Sequence, residues 1–548
     1  MTATHEGAGW FRQMFSGGYQ ELPTTNAVKD KTETTQIVPR RFLRLSTRGF
    51  LLMLAAILLI PTFLALAALE GRQYLSDGTA DPLPSLHPLR PFRPLASPAM
   101  VKPPNKAGNI FNRRLVILLP ANAPGVNVCK AIVTAVALGY PAPVILNWGK
   151  SGSHLAKIAG VLDYLDWSSR QGSSSKDHLN EDDLIMVADS ADSWFQLPPS
   201  VLLWRYHALN EEANERLRAQ WPHKSEMPMK QTIMVSAQKR CWPRAKSGSN
   251  LHCDALPESP LREDLYGPET DKDPNLRMVD VRPKYINSGA FIGPVGDMRK
   301  YFRRAQERYE FGKAEQGNHF YSDQGFFGEI WGEQEMWRTW RRELGDAINP
   351  SHNVSTMVRD QFEFHVGLDY NQTISIPTVF EEDDGDILTL NNQTYIAERS
   401  RELEIEPVRL TAVPEEIANA TNPLARILSE EDRRTLNWGD MTLYADFFTT
   451  AIPINIHHNA HINNLKNRRV LWWDRMCSLW GRVEIPEGRA IYWGLEAYRT
   501  IRRFMPAQRG MVNTDLDTVC TSSWAKKEKQ NWWDVVFQDG QGPLVLKA

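Results

Sequence analysis

Neither sign of charge dominates this chain: 63 lysines and arginines stand against 65 aspartates and glutamates in 548 residues. Such a balance carries no footprint of a nucleic-acid binder. No internal repeat recurs, so the length allows one large catalytic domain with appendages or two ordinary domains. Cysteine is scarce. The five (Cys129, Cys241, Cys253, Cys477 and Cys520) are an odd number, and pairing leaves one thiol over. Tryptophan is plentiful at 18, which suits packed cores first and sugar stacking second.

One long uncharged run stands out, "FLLMLAAILLIPTFLALAAL" at residues 50–69. As a helix, about 20 residues span about 30 Å, one bilayer core. Arg40, Arg41, Arg44 and Arg48 precede the run, and Glu70, Arg72, Asp77 and Asp81 follow it. The positive-inside rule then predicts a single-pass type II protein with residues 1–49 in the cytosol. Four glycosylation sequons (Asn353, Asn371, Asn392, Asn419) and all the cysteines fall after the run, on the side where sugars and disulfides form. The expected location is the Golgi or endoplasmic reticulum membrane. A proline-rich stretch at 70–108 reads as a stem.

Beyond the stem, "RRLVILLPANAPG" opens with a buried strand and "VCKAIVTAVALGY" follows as a helix. "APVILNW", "SHLAKIAGVLDYLDW" and "LIMVADSADSWFQ" continue strand, helix, strand. This order predicts an α/β domain with a parallel sheet, whose ligands bind beyond the carboxyl ends of the strands. "YINSGAFIGPVGDMRKYFRRAQERYE" reads as a strand, a glycine-rich turn and a basic helix. The expected division is a core over 109–340, an extension over 341–465 and a tryptophan-rich segment over 466–548.

Asp189 and Asp192 close an apolar strand-like run, where a ligand is expected. Two carboxylates delivered together need solvent, a cation or a metal to offset their repulsion. Asp163/Asp166 and Asp383/Asp386 repeat the spacing and Asp515/Asp517 tightens it, but these sit in a helical pattern, an acidic loop and a C-terminal segment. "NSGAFIG" (287–293) places small residues where backbone approaches a ligand closely, and "SDQGFF" (322–327) offers Asp323 beside an amide. "NIHHNAHINNLK" supplies three histidines, His457, His458 and His461. Two aspartates and an imidazole suit Mn²⁺ or a comparable divalent ion, which would neutralise the diphosphate of a nucleotide-sugar.

Residues 114 to about 465 resemble the glycosyltransferase domain of the procollagen lysyl hydroxylase/collagen glucosyltransferase proteins, related to procollagen galactosyltransferases. The resemblance rests on "LVILLPA", "VILNWG", "DLIMVADSAD", "VSAQKRCWP", "INSGAFIG", "SDQGFF" and "INIHHN", met in that order. It implies a GT-A-like (Rossmann-type) fold, a UDP-sugar donor and Mn²⁺. It assigns Asp189, Asp192 and His457 as metal ligands. Asn287, Ser288 and Gly289 would line the cleft, and Asp323 would be a catalytic or sugar-orienting acid. Trp148 would lie near the nucleotide, and Lys157 would reach the phosphates. The acceptor is left open.

The chain departs from the family pattern at Ser190-Ala191, between the paired acids, and at "NHFYS", where the family carries a run of acids before Asp323. These departures motivate an alternative, a catalytically silent sugar- or nucleotide-binding partner of lumenal enzymes. A metal-dependent hydrolase is a third reading of the same acids and histidines.

Overall fold

Why the apolar runs become strands is visible in how they are covered. A computed structural model describes residues 113–150, 154–170, 176–244, 251–254, 256–272, 279–315, 322–345, 353–381, 383–426, 430–460, 472–473, 475–476, 501–521 and 536. Strand β1 (Leu115–Pro120) lies between β2 (Val144–Leu146) and β3 (Leu184–Ala188), parallel to both. Ile117 and Leu119 of β1 enter one core with Met186 of β3, while Leu118 enters another with Ile185 and Val187. Side chains alternate across a strand, and both faces here are covered, so the run reads as continuously apolar. Helix α1 (Val126–Ala137) fills the first core and α2 (Ala156–Ser168) the second.

The chain continues through β4 (Ser193–Phe195), α3 (Pro199–Ala219), β5 (Ile233–Gln238) and β6 (Tyr285–Pro294). Two long helices follow, α4 (Val295–Glu315) and α5 (Asp323–Leu344). Then come β7 (Val366–Asp369), β8 (Ser375–Pro377), β9 (Gly385–Thr389), β10 (Thr442–Asp446), β11 (Asn455–His457), β12 (Ile501–Met505) and β13 (Gly510–Thr514). The main sheet has eight strands in the order β13-β12-β2-β1-β3-β6-β5-β7. A second sheet joins β4, β11 and β8, and β9 pairs with β10.

The expected GT-A-like domain with a parallel sheet behind one transmembrane helix needs correcting. The fold is a mixed α/β architecture: β6 runs antiparallel to both β3 and β5, and β13 antiparallel to β12. Among the described residues, no helix is long and apolar enough to cross a membrane. Helices α3, α4 and α5 have 21 or 22 residues, but all carry charges along their length. The expected span at 50–69 lies outside the described residues, as do the tail and the stem up to residue 108.

The glycine-rich turn expected after Tyr285 is also absent. Asn287, Ser288 and Gly289 belong to a continuous ten-residue strand, β6, which passes directly into α4. It pairs with β3 and β5 on either side, but the β5 register jumps from Asn287 to Phe291, so Ser288 and Gly289 lie in a bulge of the strand.

Two disulfides form. Cys129–Cys520 ties α1 to a short C-terminal helix, Leu516–Cys520, across 391 residues of chain. Cys241–Cys253 closes a 12-residue interval, with Cys253 on a one-turn helix, Leu251–Asp254. Cys477 lies outside the described residues. Trp472 and Trp473 pack in the first core, as expected for packing residues, while Trp480, Trp493, Trp532 and Trp533 lie outside the described residues.

Candidate metal centre

Asp189 is the first residue past β3. Its backbone N–H donates to Gly289 O at 2.9 Å, which extends the β3–β6 ladder by one bond. Asp192 follows and leads into β4, which pairs antiparallel with β11 so that His457 lies opposite Ser193. His458 N–H donates to Asp192 O at 2.7 Å and fixes the junction. This small sheet is why a histidine 265 positions along the chain from Asp192 arrives beside it. One ligand atom from each of Asp189, Asp192 and His457 lies within 4.8 Å of the others.

The orientation of His457 follows from Asn287. The Asn287 amide nitrogen donates to Gln238 Oε1 at 2.8 Å, and its Oδ1 accepts from Gly289 N–H at 2.9 Å. The remaining contact of Oδ1, at 3.0 Å, is with His457 Nδ1. An acceptor there calls for a proton on Nδ1. Nε2 then faces Asp189 Oδ2 at 3.5 Å and Asp192 Oδ1 at 3.4 Å. Three electron-rich atoms facing one another need a positive charge between them: a proton on Nε2, or a divalent cation. Holding the ring by its other nitrogen is the usual outer arrangement of a metal-binding histidine.

Gly289 has a steric reason as well as a hydrogen bond. A Cβ added there would lie 2.1 Å from His457 Nδ1. No side chain larger than hydrogen leaves the ring where it is.

Lys157 rises from the first turn of α2 and is buried. Its Nζ donates to Asp189 Oδ1 at 2.9 Å and to Ser288 O at 2.7 Å, and lies 2.6 Å from Asp323 Oδ2 as an ion pair. Burial by itself would lower the ammonium pKa, but Asp189 and Asp323 outweigh it and hold the pKa above the ordinary lysine value. Asp189 shifts upward: burial dominates, Lys157 and His457 oppose it, and Asp192 and Asp323 add to it. Its side chain is 32% exposed, against 12% for Asp192, so the group opens toward solvent on the Asp189 side.

Asp323 opens α5 directly after Ser322, whose hydroxyl accepts from Gln324 N–H as the helix N-cap. Asp323 itself is buried and turned toward Lys157. The structure thus brings together Asp189, Asp192, His457, Asn287, Ser288, Gly289, Lys157 and Asp323. It does not bring Trp148 to them by any described contact; the half-buried indole at the end of β2 lies 5.2 Å from the Arg503 guanidinium of β12. His458 turns away from the centre onto Trp194, with ring centroids 4.0 Å apart. His461 lies outside the described residues.

Sequence reasoning missed Gln238 and noted Gln324 only as an amide beside Asp323, without a role. Gln238 orients Asn287, and Gln324 accepts from Ser288 N–H while donating to Trp242 O. Both lie inside quoted motifs, "VSAQKRCWP" and "SDQGFF", so a buried-amide reading was open. The competing acid pairs find ordinary partners. Asp163 meets Lys150 at 3.8 Å and Asp166 meets Arg303 at 2.6 Å, while Asp515 caps the C-terminal helix. No known family model matches this chain, and no curated protein matches it.

Proposed function

We propose that this protein is a divalent-metal-dependent glycosyltransferase that moves a hexose from a UDP-sugar to an acceptor hydroxyl. The observation that carries the reading is that His457 Nε2 faces two carboxylates at the carboxyl end of β3, with Nδ1 held by Asn287. Asp189, Asp192 and His457 would hold Mn²⁺ or a similar ion, a mixed oxygen and imidazole set that suits it. Such an ion supplies Lewis-acid charge to a departing diphosphate. Within the chain, Asn287 keeps His457 in the ligating tautomer and Gly289 leaves space for its ring. Lys157 locks Asp189 against β6 and holds Asp323 in place. The ordered motif resemblance supplies the donor class, and two disulfides suit an oxidising lumen such as that of the endoplasmic reticulum or Golgi.

A second reading has one observation in its favour. Asp323 is buried and paired with Lys157, so it does not stand as a free base. A binding protein that holds metal and nucleotide without turnover needs no such base.

Release of UDP from a panel of UDP-sugars, with Mn²⁺ and with chelator, tests the proposal, with Asp189→Ala alongside. Turnover with one sugar, lost in the variant and on chelation, supports it. Asp189-dependent UDP binding without turnover for any acceptor favours the silent partner. Neither binding nor turnover overturns both.

A further inference from the structure

A second group of acids lies away from the centre above. Glu381, Asp384 and Asp446 each place a carboxylate oxygen within 4.8 Å of the others. Glu381 and Asp446 are fully buried and Asp384 is 6% exposed. They come from two places in the chain, the loop before β9 and the last residue of β10. The β9–β10 ladder joins them, with Asp446 opposite Gly385.

One oxygen of each acid is fixed by a donor. Glu381 Oε1 accepts from Gln372 Nε2 at 2.8 Å. Asp446 Oδ1 accepts from Phe448 N, Thr449 N and the Thr449 hydroxyl. Asp384 Oδ2 takes the ammonium of Lys239, which also donates to Val279 O. These bonds leave Glu381 Oε2 and Asp446 Oδ2 buried with no hydrogen-bond partner among the described residues. Two neutral oxygens of fully buried residues nearby share that condition. Gln372 Oε1 is unpartnered on the same amide that donates to Glu381, and the Tyr444 hydroxyl is unpartnered against Gly385, beside Asp384.

Lys239 is the one cation ion-paired with this trio among the described residues. With all three carboxylates ionised, one ammonium would leave two negative charges in a buried place, which is costly unless protons or a cation neutralise them. A set of partnerless oxygens around that surplus has the chemistry of a hard cation site. Oxygen-only donors and full burial favour an ion that sheds its water readily, which is Ca²⁺ over Mg²⁺.

We propose that Glu381, Asp384 and Asp446 bind one calcium ion as a structural site separate from Asp189, Asp192 and His457. The ion ties the loop ahead of β9 to the end of β10 and is independent of the proposed transferase activity.

The full-length chain carrying Asp192→Ala, which disables the other centre, is dialysed in metal-free buffer. Its calcium content is measured by emission spectroscopy and its Tm recorded with EGTA and with added calcium. One calcium per chain is expected, with a Tm about 3 °C higher when calcium is a hundredfold above its dissociation constant. Adding Glu381→Gln and Asp446→Asn removes both the ion and the response. Should that chain not fold, Glu381→Gln alone raises the calcium needed for the half-maximal shift at least about tenfold. A chain without bound calcium whose Tm ignores calcium and EGTA overturns the site. So does a response to magnesium alone, or one that survives the substitutions at Glu381 and Asp446.

Discussion

The side-chain oxygen of Asn287 lies 3.0 Å from His457 Nδ1, and that contact decides which way the imidazole faces. Asn287 is itself fixed by Gln238 and by the backbone of Gly289, so the ring is held by a chain of three bonds inside the sheet. Asn287→Leu keeps the volume but removes the acceptor. Mn²⁺ affinity, measured by calorimetry, is expected to fall about 10- to 100-fold, as for other partners of metal-bound histidines. Unchanged affinity would mean that Asn287 does not set the tautomer.

Gly289→Ala tests the steric half of the same arrangement. The new Cβ would fall 2.1 Å from His457 Nδ1, and the ring must leave. Mn²⁺ binding is expected to weaken as much as in His457→Ala. Gly125→Ala, where no atom lies within 4 Å of the added carbon, serves as the control and leaves metal binding intact. Equal metal affinity in Gly289→Ala and the parent would refute the cradle.

Lys157→Met leaves Asp189 and Asp323 without their shared cation. Asp189 is partly solvated, so the larger penalty falls on Asp323, whose side chain is 5% exposed. Breaking a buried pair from one side costs about 3 kcal/mol or more, read from urea unfolding. Adding Asp323→Asn should return part of that loss, since the uncompensated charge is gone. Simple additivity of the two substitutions would show that the pair is not coupled.

Asp369 gives stability a pH dependence of known sign. Burial pushes its carboxyl from 3.8 up to about 6, although the backbone N–H groups of Ile374, Ser375 and Thr373 pull it down. The folded state therefore holds this proton more tightly than the unfolded chain does. Its contribution is fully present below about 3.8 and is lost as pH rises through about 6. The stability of the parent minus that of Asp369→Asn is expected to fall by about 2–3 kcal/mol between pH 4 and 7. A difference that stays flat across this window would contradict the shift.

The apolar runs at Leu115, Val144 and Leu184 were legible because both faces of those strands are buried, and burial of that kind leaves a continuous apolar signature. Helices α1 and α2 were legible for a related reason, their apolar residues following a helical period. The antiparallel course of β6 was not, since "YINSGAFIG" contains the same residue types in either direction. Nor was the place of β12 and β13. They follow a segment with no sustained pattern and dock beside β2, helped by a disulfide that joins residues 391 positions apart.

Of the candidate site, the order of residues already offers the chemistry: Asp189 and Asp192 at a strand end, a histidine cluster near 457, small residues at 287–289 and an acid at 323. Which atoms meet follows from the fold. The β4–β11 ladder selected His457 over His458, and the buried ammonium of Lys157 bound Asp189 to Asp323. The acidic loop makes the same point in reverse. It reads only as an acidic loop, yet Glu381 and Asp384 are buried with Asp446, a residue 62 positions beyond Asp384. Local pattern records how each segment meets solvent or core. Only the folded chain records which distant charges share one low-dielectric space, and that sharing sets their chemistry.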